Sequence, residues 1–191
     1  MIKLFKKIYY YFFIKKIIKK NVTYNRNKND DRYILEEIIF PFILTNYNPQ
    51  KILDIGREDY EIFYNEFFKN RELWTIDIDP KRREFGAKNH ITDNVVNLEK
   101  YFKNNTFDFI LFNGVYGWGL NKEKDVQDAF NAIFNILKKG GILVFGWNDE
   151  VVPFSKINGL LKLEPFYLKP LRGTSFTCNN GAHHYNFFIK N

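Results

Sequence analysis

The chain of 191 residues contains a single cysteine, Cys178. No intrachain disulfide can therefore form, and a cysteine-based zinc site has no second thiolate. A lone thiol is typical of a reducing compartment, and we expect Cys178 to be an inert, partly buried side chain rather than a nucleophile. No metal site is predicted.

Long apolar runs are also missing. The longest run near the amino terminus, residues 8–14, has seven residues, whereas a membrane-spanning helix needs roughly 20. The same segment has no small-residue cleavage site of the kind that ends a signal peptide. We therefore expect neither a membrane span nor a secretory signal here.

The body of the chain has no excess of basic residues. The net charge is +7, from 29 lysines and arginines against 22 acids. Seven of those lysines lie in residues 1–20, which hold no acid, so 22 basic residues face 22 acidic ones in residues 21–191. Because a nucleic-acid-binding domain carries its basic patch on the fold itself, no nucleic acid is expected as a partner.

The basic segment, residues 1–20, is rich in lysine and aromatic residues and suits contact with an anionic membrane surface. The alternative is a terminal helix with a solvated charged side. An asparagine-rich stretch follows and predicts a linker over residues 21–32. With 45% hydrophobic and 19% aromatic residues, the remainder predicts one packed domain over residues 33–191. We expect a cytoplasmic protein that is peripheral at the membrane if its basic segment binds there.

Strand-like and helix-like segments alternate from residue 51 onward, which predicts an α/β fold. The expected architecture is a Rossmann-like three-layer sandwich around a mainly parallel seven-stranded sheet. The last two strands leave no room for a crossover helix and should form an antiparallel hairpin. The predicted strands are 51–55, 73–78, 90–91, 107–112, 142–147, 165–171 and 183–190. The predicted helices are 33–40, bent or ended by Pro41, then 60–70, 98–102, 123–137 and 155–161, with a loop over 172–182.

Four strings in this pattern resemble those of a known superfamily. They are LDIG at 53–56, TIDID at 75–79, FDFILFNGV at 107–115 and LKKGGILVF at 137–145. Their order and spacing, with the closing hairpin, resemble the class I S-adenosylmethionine-dependent methyltransferases of the type 11-like kind. The resemblance covers about residues 34–190.

This resemblance implies a cofactor and a set of site residues. The cofactor is S-adenosylmethionine. By position, Asp54 and Gly56 match the start of the glycine-rich loop that holds the methionyl part, and Asp77, with Ile78 beside it, matches the acid that accepts both ribose hydroxyls. Asp93 and Asn94 match the position that reads the adenine edge. Asn113 and Gly114 match the loop that passes beside the transferred methyl group. The alternative for each acid is that it only caps the following helix.

The glycine-rich loop departs from the family pattern. Glu58 and Tyr60 stand where its second and third glycines are expected. Either the loop follows a different path, or the pocket is altered, or the fold no longer binds this cofactor.

Substrate-facing groups are expected beyond the carboxyl ends of the strands. There Asp149, His183 and His184 are the candidates for a general base. Trp118 and Tyr116 predict either an aromatic wall or a hydrophobic plug under a loop.

The sequence thus predicts methyl transfer from S-adenosylmethionine to an unidentified small-molecule or glycan-type acceptor. One alternative is a catalytically inactive binding or scaffold protein with this fold. Another is a nicotinamide-cofactor enzyme, which is disfavoured because Gly56 begins no Gly-x-Gly-x-x-Gly motif.

Overall fold

The computed structural model of the protein describes Phe12, residues 30–178 and residues 182–191. In these residues an eight-stranded sheet has the order β3-β2-β1-β4-β5-β8-β6, with β7 also paired to β8. Strands β1 to β5 are parallel, and β8 runs antiparallel to β5, β6 and β7. The strands are β1 Lys51–Ile55, β2 Glu72–Asp77, β3 Asn89–Thr92, β4 Phe107–Asn113, β5 Leu137–Trp147, β6 Glu164–Pro165, β7 Ser175–Thr177 and β8 His184–Ile189.

Helices cover both faces of this sheet, as predicted. Helix α1 is made of Asp31–Tyr33, a π-type stretch Ile34–Ile39 and Phe40–Asn46; the others are α2 Tyr64–Phe67, α3 Glu123–Ile136 and α4 Asn158–Leu161. Short 3-10 turns occupy Asp59–Glu61, Pro80–Phe85, Val95–Lys100, Phe154–Lys156 and Lys169–Leu171.

Two apolar cores lie between the three layers, one on each face of the sheet. One core joins α1 and α2 to the sheet, and the other joins α3, α4 and the 95–100 turn to the opposite face. Alternate residues of β4 serve the two cores: Phe109 and Leu111 face α1, whereas Ile110 and Phe112 face α3. The predicted three-layer α/β sandwich is confirmed.

The carboxyl-terminal part of the prediction needs correction, because the sheet has eight strands rather than seven. The predicted loop 172–182 contains β7, whose residues pair with β8 between Ser175↔Asn186 and Thr177↔His184. The predicted strand 165–171 is reduced to Glu164–Pro165, followed by a 3-10 turn. Proline has no N–H for the ladder, so Pro165 and Pro170 leave little of that segment able to pair.

Pro41, predicted to bend or end the first helix, does not end it. The helix continues to Asn46 because a π-type stretch precedes the proline, with the N–H of Phe40 donating to the carbonyl of Leu35. The wider turn accommodates a residue that cannot donate the usual helical hydrogen bond.

The entry to β5 also differs in detail. The strand begins at Leu137 rather than at residue 142, and its register against β4 shifts between Phe107 and Phe109. Gly140 absorbs the shift at φ +74°, a backbone conformation that glycine adopts without strain.

Most of the basic segment and of the predicted linker lies outside the described residues, so the domain boundaries stay predictions. Within the described part, helix α1 begins at Asp31, two residues before the predicted start of the domain. Among those same residues, no helix has the length and apolarity that crossing a membrane requires.

Candidate functional site

A cavity of 640 Å³ lies at the carboxyl ends of β1, β2 and β4, the edge of the sheet where the sequence predicts a ligand. Most of the predicted site residues line it. They are Gly56, Asp77, Ile78, Asp93, Asn94, Asn113, Gly114 and His183. Three others, Asp54, Asp149 and His184, are not part of the lining.

Two glycines shape the floor of this cavity. Gly56 follows β1 at φ +83°, and a Cβ added there would lie 2.5 Å from Val115 Cγ2. Gly114 follows β4 at φ +69° and has open space around the same position. The chain can therefore turn sharply at both strand ends and leave the backbone facing the cavity.

Asp77 is held in a fixed orientation at the end of β2. Its Oδ2 accepts the backbone N–H of Arg57 at 2.9 Å, and its Oδ1 accepts that of Asp79 at 2.9 Å. A carboxylate has about four acceptor sites, so roughly two stay available to a ligand. The neighbouring Ile78 lines the cavity with 68% of its surface exposed, which offers an apolar face.

Asp93 and Asn94 begin the turn after β3 as well as lining the cavity. Asp93 accepts hydrogen bonds from the N–H of Asn94 at 2.7 Å, from Asn97 at 2.8 Å and from the hydroxyl of Tyr101 at 2.6 Å. These donors lower the pKa of Asp93, the Tyr101 hydroxyl most of all. Asn94 caps the 95–100 turn through the N–H of Val96 at 3.1 Å. Asn94 is therefore the capping residue of this turn, Asp93 binds the turn mainly through the side chains of Asn97 and Tyr101, and both residues line the cavity.

The altered glycine-rich loop forms a 3-10 turn over Asp59–Glu61, with the N–H of Glu58 donating to Glu61 Oε2 at 2.9 Å. Its two unusual side chains are held by arginines. Glu58 pairs with Arg82 at 2.6 Å, and Arg32 donates to the hydroxyl of Tyr60 at 2.9 Å. Both side chains line the cavity in these positions, so the altered loop forms part of the pocket wall.

An ion pair lies buried below this loop. The Arg57 guanidinium is 2.9 Å from Asp54 Oδ2, donates to the carbonyl of Glu61 at 2.6 Å, and has its side chain fully enclosed. Burial raises the pKa of Asp54, and the charge of Arg57 opposes that shift. Asp54 thus anchors the loop from beneath rather than facing a ligand.

Arg32 joins α1 to the same loop. It pairs with Glu61 and donates to the hydroxyl of Tyr64 at 2.7 Å, and Tyr64 donates to Glu36 at 2.8 Å. Both Arg32 and Glu61 line the cavity. The wall therefore presents a positive and a negative charge side by side, which is complementary to a zwitterionic amino-acid group.

The two aromatic candidates have different environments. Tyr116 is buried, and its hydroxyl donates to the carbonyl of Val152 at 2.7 Å and accepts that residue's N–H at 2.8 Å. Trp118 lines the cavity and is 72% exposed. Tyr116 is therefore a plug under the loop, and Trp118 is an exposed aromatic wall.

The structure separates the three predicted general bases. His183 lines the cavity, whereas His184 stacks on Trp147 with ring centroids 4.4 Å apart and contacts the hydroxyl of Thr177. Asp149 lies by Gly117, outside the lining. Cys178 is buried, and burial raises the pKa of its thiol to about 12.

Several residues of the cavity lining were not predicted from the sequence, namely Arg32, Glu61, Arg82 and Asn148. Arg32 and Glu61 are 29 positions apart, and no local pattern links a helix start to a distant loop. The charged residues that follow Gly56 were the one sequence feature that pointed to such contacts, because a charged side chain next to a buried strand end usually has a partner of opposite charge.

Comparisons with known proteins agree with this geometry. Residues 56–145 match the profile of the methyltransferase domain family. Two structures of the N-methyltransferase NodS from Bradyrhizobium japonicum WM9 are similar in fold. One has a TM-score of 0.59 at 16% identity over 74% of this chain and 86% of that chain. The other, in complex with S-adenosyl-L-homocysteine, has a TM-score of 0.57 at 15% identity over 93% and 98%.

A TehB-like S-adenosylmethionine-dependent methyltransferase from Corynebacterium glutamicum ATCC 13032 Kitasato is also similar. Its TM-score is 0.53 at 19% identity over 74% of this chain and 80% of that chain. No curated protein sequence matches this chain. At these identities the structural likeness shows the fold alone.

The order of the strands and the position of the cavity are those of an α/β protein with the fold of class I S-adenosylmethionine-dependent methyltransferases. Within this chain the match to the methyltransferase domain family covers residues 56–145, a little under half of its length. The predicted resemblance is confirmed.

The residues present fit the cofactor of this superfamily, S-adenosylmethionine. Asp77 offers acceptor sites for ribose hydroxyls, Ile78 offers an apolar face for a purine, and the Arg32–Glu61 pair offers opposite charges for a carboxylate and an ammonium. In addition, two buried polar atoms of the lining, Asn113 Oδ1 and His183 Nε2, have no hydrogen-bond partner among the described residues.

Proposed function

We propose that the protein transfers a methyl group from S-adenosylmethionine to a small-molecule or glycan-type acceptor. The observation that carries this proposal is Asp77. It is fixed by two backbone N–H groups at the end of β2, beside an exposed apolar residue and on the wall of a 640 Å³ cavity. That arrangement suits a nucleoside with two ribose hydroxyls.

The chain's own residues then have distinct tasks. Asp77 binds the ribose, Ile78 covers the base, and Arg32 with Glu61 holds the amino-acid end. S-adenosylmethionine, when bound, supplies a methyl group on a cationic sulfur. Because such a transfer depends chiefly on alignment, the protein acts mainly by positioning the two reactants and excluding water.

The cavity wall also has a suitable sign of charge. Seven of its residues are acidic and three are arginines, one of which, Arg57, is paired with Asp54. A net negative wall attracts a cationic sulfonium compound. The acidic lining residues are Asp31, Glu58, Glu61, Asp77, Asp79, Asp93 and Asp125.

A second candidate function is a binding or scaffold protein that has kept the fold and lost catalysis. Glu58 and Tyr60 favour it, since both line the cavity where the family has glycine. A Glu58 carboxylate in that place opposes the carboxylate of the cofactor by charge.

Calorimetric titration of the full chain with S-adenosylmethionine, S-adenosylhomocysteine and NAD tests both candidates. We expect the first two to bind and NAD to be silent, and Asp77→Ala to weaken binding at least about tenfold because two charge-assisted hydrogen bonds are lost. The matched control is Asp128→Ala, an exposed acid on α3 outside the cavity lining, which should bind like the unchanged protein. Silence toward all three ligands would leave the scaffold function as the better account.

Glu58→Gly addresses the altered loop directly. If Glu58 only weakens cofactor binding by charge, its replacement should increase affinity several-fold without changing the fold, as measured by the same titration and by circular dichroism. An unchanged affinity would show that the loop path seen here already suits the ligand.

A further inference from the structure

Three buried side chains of the cavity lining have polar atoms without a hydrogen-bond partner among the described residues. One is Arg57, whose guanidinium forms an ion pair with Asp54. The other two have no such charge partner, and their unpaired atoms are Asn113 Oδ1 and His183 Nε2. Asn113 is 9% exposed and His183 is 6% exposed, and both line the same cavity. Buried polar atoms are nearly always hydrogen-bonded, so two unpaired ones on one cavity wall point to a ligand that supplies the partners.

The sheet brings these two side chains close to one another. Asn113 on β4 pairs with Gly146 on β5, which pairs with Tyr185 on β8. A Cβ added to Gly146 would collide with Asn113 Oδ1 and would lie 2.9 Å from Tyr185 Cε1. Since glycine leaves that space open, the Asn113 amide lies over β5 toward Tyr185, and His183 packs on the same Tyr185 ring with centroids 4.7 Å apart.

The hydrogen bond of the other ring nitrogen sets the chemistry of His183. Its Nδ1 lies 3.1 Å from Asn148 Oδ1, an acceptor, so Nδ1 carries the proton and Nε2 carries a lone pair. Asn148 is thus a positioning residue. The charged groups facing the ring are Asp31 and Arg32 from α1 and His184 from β8; burial lowers the pKa of His183 to about 4, so the ring is neutral at physiological pH.

Asn113 Oδ1 and His183 Nε2 therefore both accept hydrogen bonds. A bound group must bring protons to them, and the acidic wall around it disfavours an anion. Carboxylates and thiolates meet neither requirement. Neutral amines and hydroxyls meet both.

We propose that Asn113 Oδ1 and His183 Nε2 form the subsite for the reacting group of the methyl acceptor and select a neutral nucleophile with an N–H or O–H bond. This proposal rests on the proposed methyltransferase function. In the transfer, the lone pair of the nucleophile forms the new bond to carbon as the carbon–sulfur bond breaks and its electron pair stays on sulfur. The displaced proton leaves to water, because a ring this weakly basic orients the nucleophile without keeping its proton.

Three probes of the same ring size test the subsite, namely aniline, phenol and benzoate. They carry an N–H, an O–H and a carboxylate respectively. The full chain, labelled with ¹⁵N-histidine, is titrated with each probe in the presence and absence of S-adenosylhomocysteine. We expect aniline and phenol to shift the His183 Nε2 resonance and benzoate to leave it unchanged, with the His184 resonance constant throughout.

Two substitutions remove one acceptor each at similar volume, His183→Phe and Asn113→Leu. Each should weaken aniline and phenol binding about fivefold or more, the effect of one lost hydrogen bond, measured by ligand-observed NMR so that the His183 signal is not required. The matched control is Thr177→Val, which removes the hydroxyl beside His184 on the edge strand and should change nothing. Circular dichroism and thermal melts establish whether each variant is folded. If a variant does not fold, the His183 Nε2 chemical-shift change in the unchanged chain still tests the subsite.

The outcomes separate this inference from the proposed function. If S-adenosylhomocysteine fails to bind while aniline and phenol still shift Nε2, the methyltransferase function is overturned, and the two acceptors remain a binding site for neutral N–H and O–H groups but not a subsite for a methyl acceptor. If S-adenosylhomocysteine binds but no probe shifts Nε2, or benzoate binds as well as the other two, the subsite is overturned and the function stands.

Discussion

At the scale of single residues, charge is concentrated where the family has glycine. Glu58 forms an ion pair with Arg82, and Arg57 forms one with Asp54. The hydroxyl of Tyr60 accepts a hydrogen bond from Arg32. A buried charge is costly unless it is paired, so each unusual side chain of the loop has a partner of opposite charge or a polar partner. The loop gains a fixed path from these contacts instead of the backbone freedom that glycines give.

The neutral state of His183 should be visible in the pH dependence of folding. Burial lowers its pKa to about 4 in the folded protein, whereas an unfolded histidine titrates near 6.5. Between these values the unfolded chain binds the proton and the folded chain does not, so stability falls as pH falls through this window. His183 accounts for at most about 3 kcal/mol of that loss.

Urea denaturation at pH 6.5 and at pH 4.5 measures this contribution. His183→Phe should lose less stability between the two pH values than the unchanged protein, and the difference is the share of His183. His90 also has a pKa lowered by burial, and it is present in both proteins, so its effect cancels. Equal losses in the two proteins would contradict a neutral, buried His183.

At the scale of elements, the first helix and the altered loop form one unit. Arg32 on α1 pairs with Glu61 of the 3-10 turn and donates to Tyr60 and Tyr64. These contacts fix the loop from the side of α1, while Arg57 fixes it from below.

Removing the charge of Arg32 should therefore destabilise the protein. Arg32→Met keeps the apolar stem and leaves Glu61 without its cation, and breaking an enclosed ion pair in this way costs about 3 kcal/mol. Thermal or urea denaturation measures the loss.

The matched control for this substitution is Lys124→Met. It breaks an ion pair of α3 between Lys124 and Asp128, 2.7 Å apart at the surface. No measurable change in the denaturation midpoint is expected from it. An Arg32→Met protein as stable as this control would show that α1 and the loop are held by packing alone.

The elements also show what the sequence could and could not predict. Strands β1 and β4 are continuous buried runs, and α3 has one apolar face, so both kinds of element follow from local pattern. Strand β7 was predicted as loop because three residues, Ser175–Thr177, have no pattern of their own; their pairing depends on the open edge of β8. The same holds for Arg32 and Asn148, whose places in the site come from tertiary contacts.

Pro41 and Pro165 illustrate two outcomes of one rule. Both lack the N–H that regular structure needs. At Pro41 a π-type stretch precedes the proline, so the helix continues without a hydrogen bond from that residue. At Pro165 no such adjustment occurs, and the strand ends after two residues. Sequence identifies the conflict at a proline, and the surrounding backbone decides how it is resolved.

At the scale of the whole molecule, charge is divided between two regions. The first 20 residues carry seven lysines and no acid, and the rest of the chain is formally neutral. The described residues begin the domain at Asp31 and Arg32, which line the cavity. Whatever residues 1–20 bind is therefore connected to the site by a short stretch of chain.

We propose that the basic segment binds anionic membrane surfaces and that the protein is cytoplasmic and peripheral there. Each lysine near such a surface contributes about 1 kcal/mol, so seven are ample for reversible binding. The full chain should co-sediment with vesicles of mixed phosphatidylserine and phosphatidylcholine at low salt, and should dissociate at high salt, because the attraction is screened within a Debye length.

A full-length variant with lysines 3, 6, 7, 15, 16, 19 and 20 replaced by glutamine isolates the charge of the segment from its aromatic residues. Because the remaining chain has no net charge, this variant should stay in solution with the same vesicles at any salt concentration. Co-sedimentation that persists in the variant would assign membrane binding to the aromatic residues, and equal binding of the unchanged chain to pure phosphatidylcholine would exclude an electrostatic role. Only loss on both substitution and added salt supports attachment through the seven lysines.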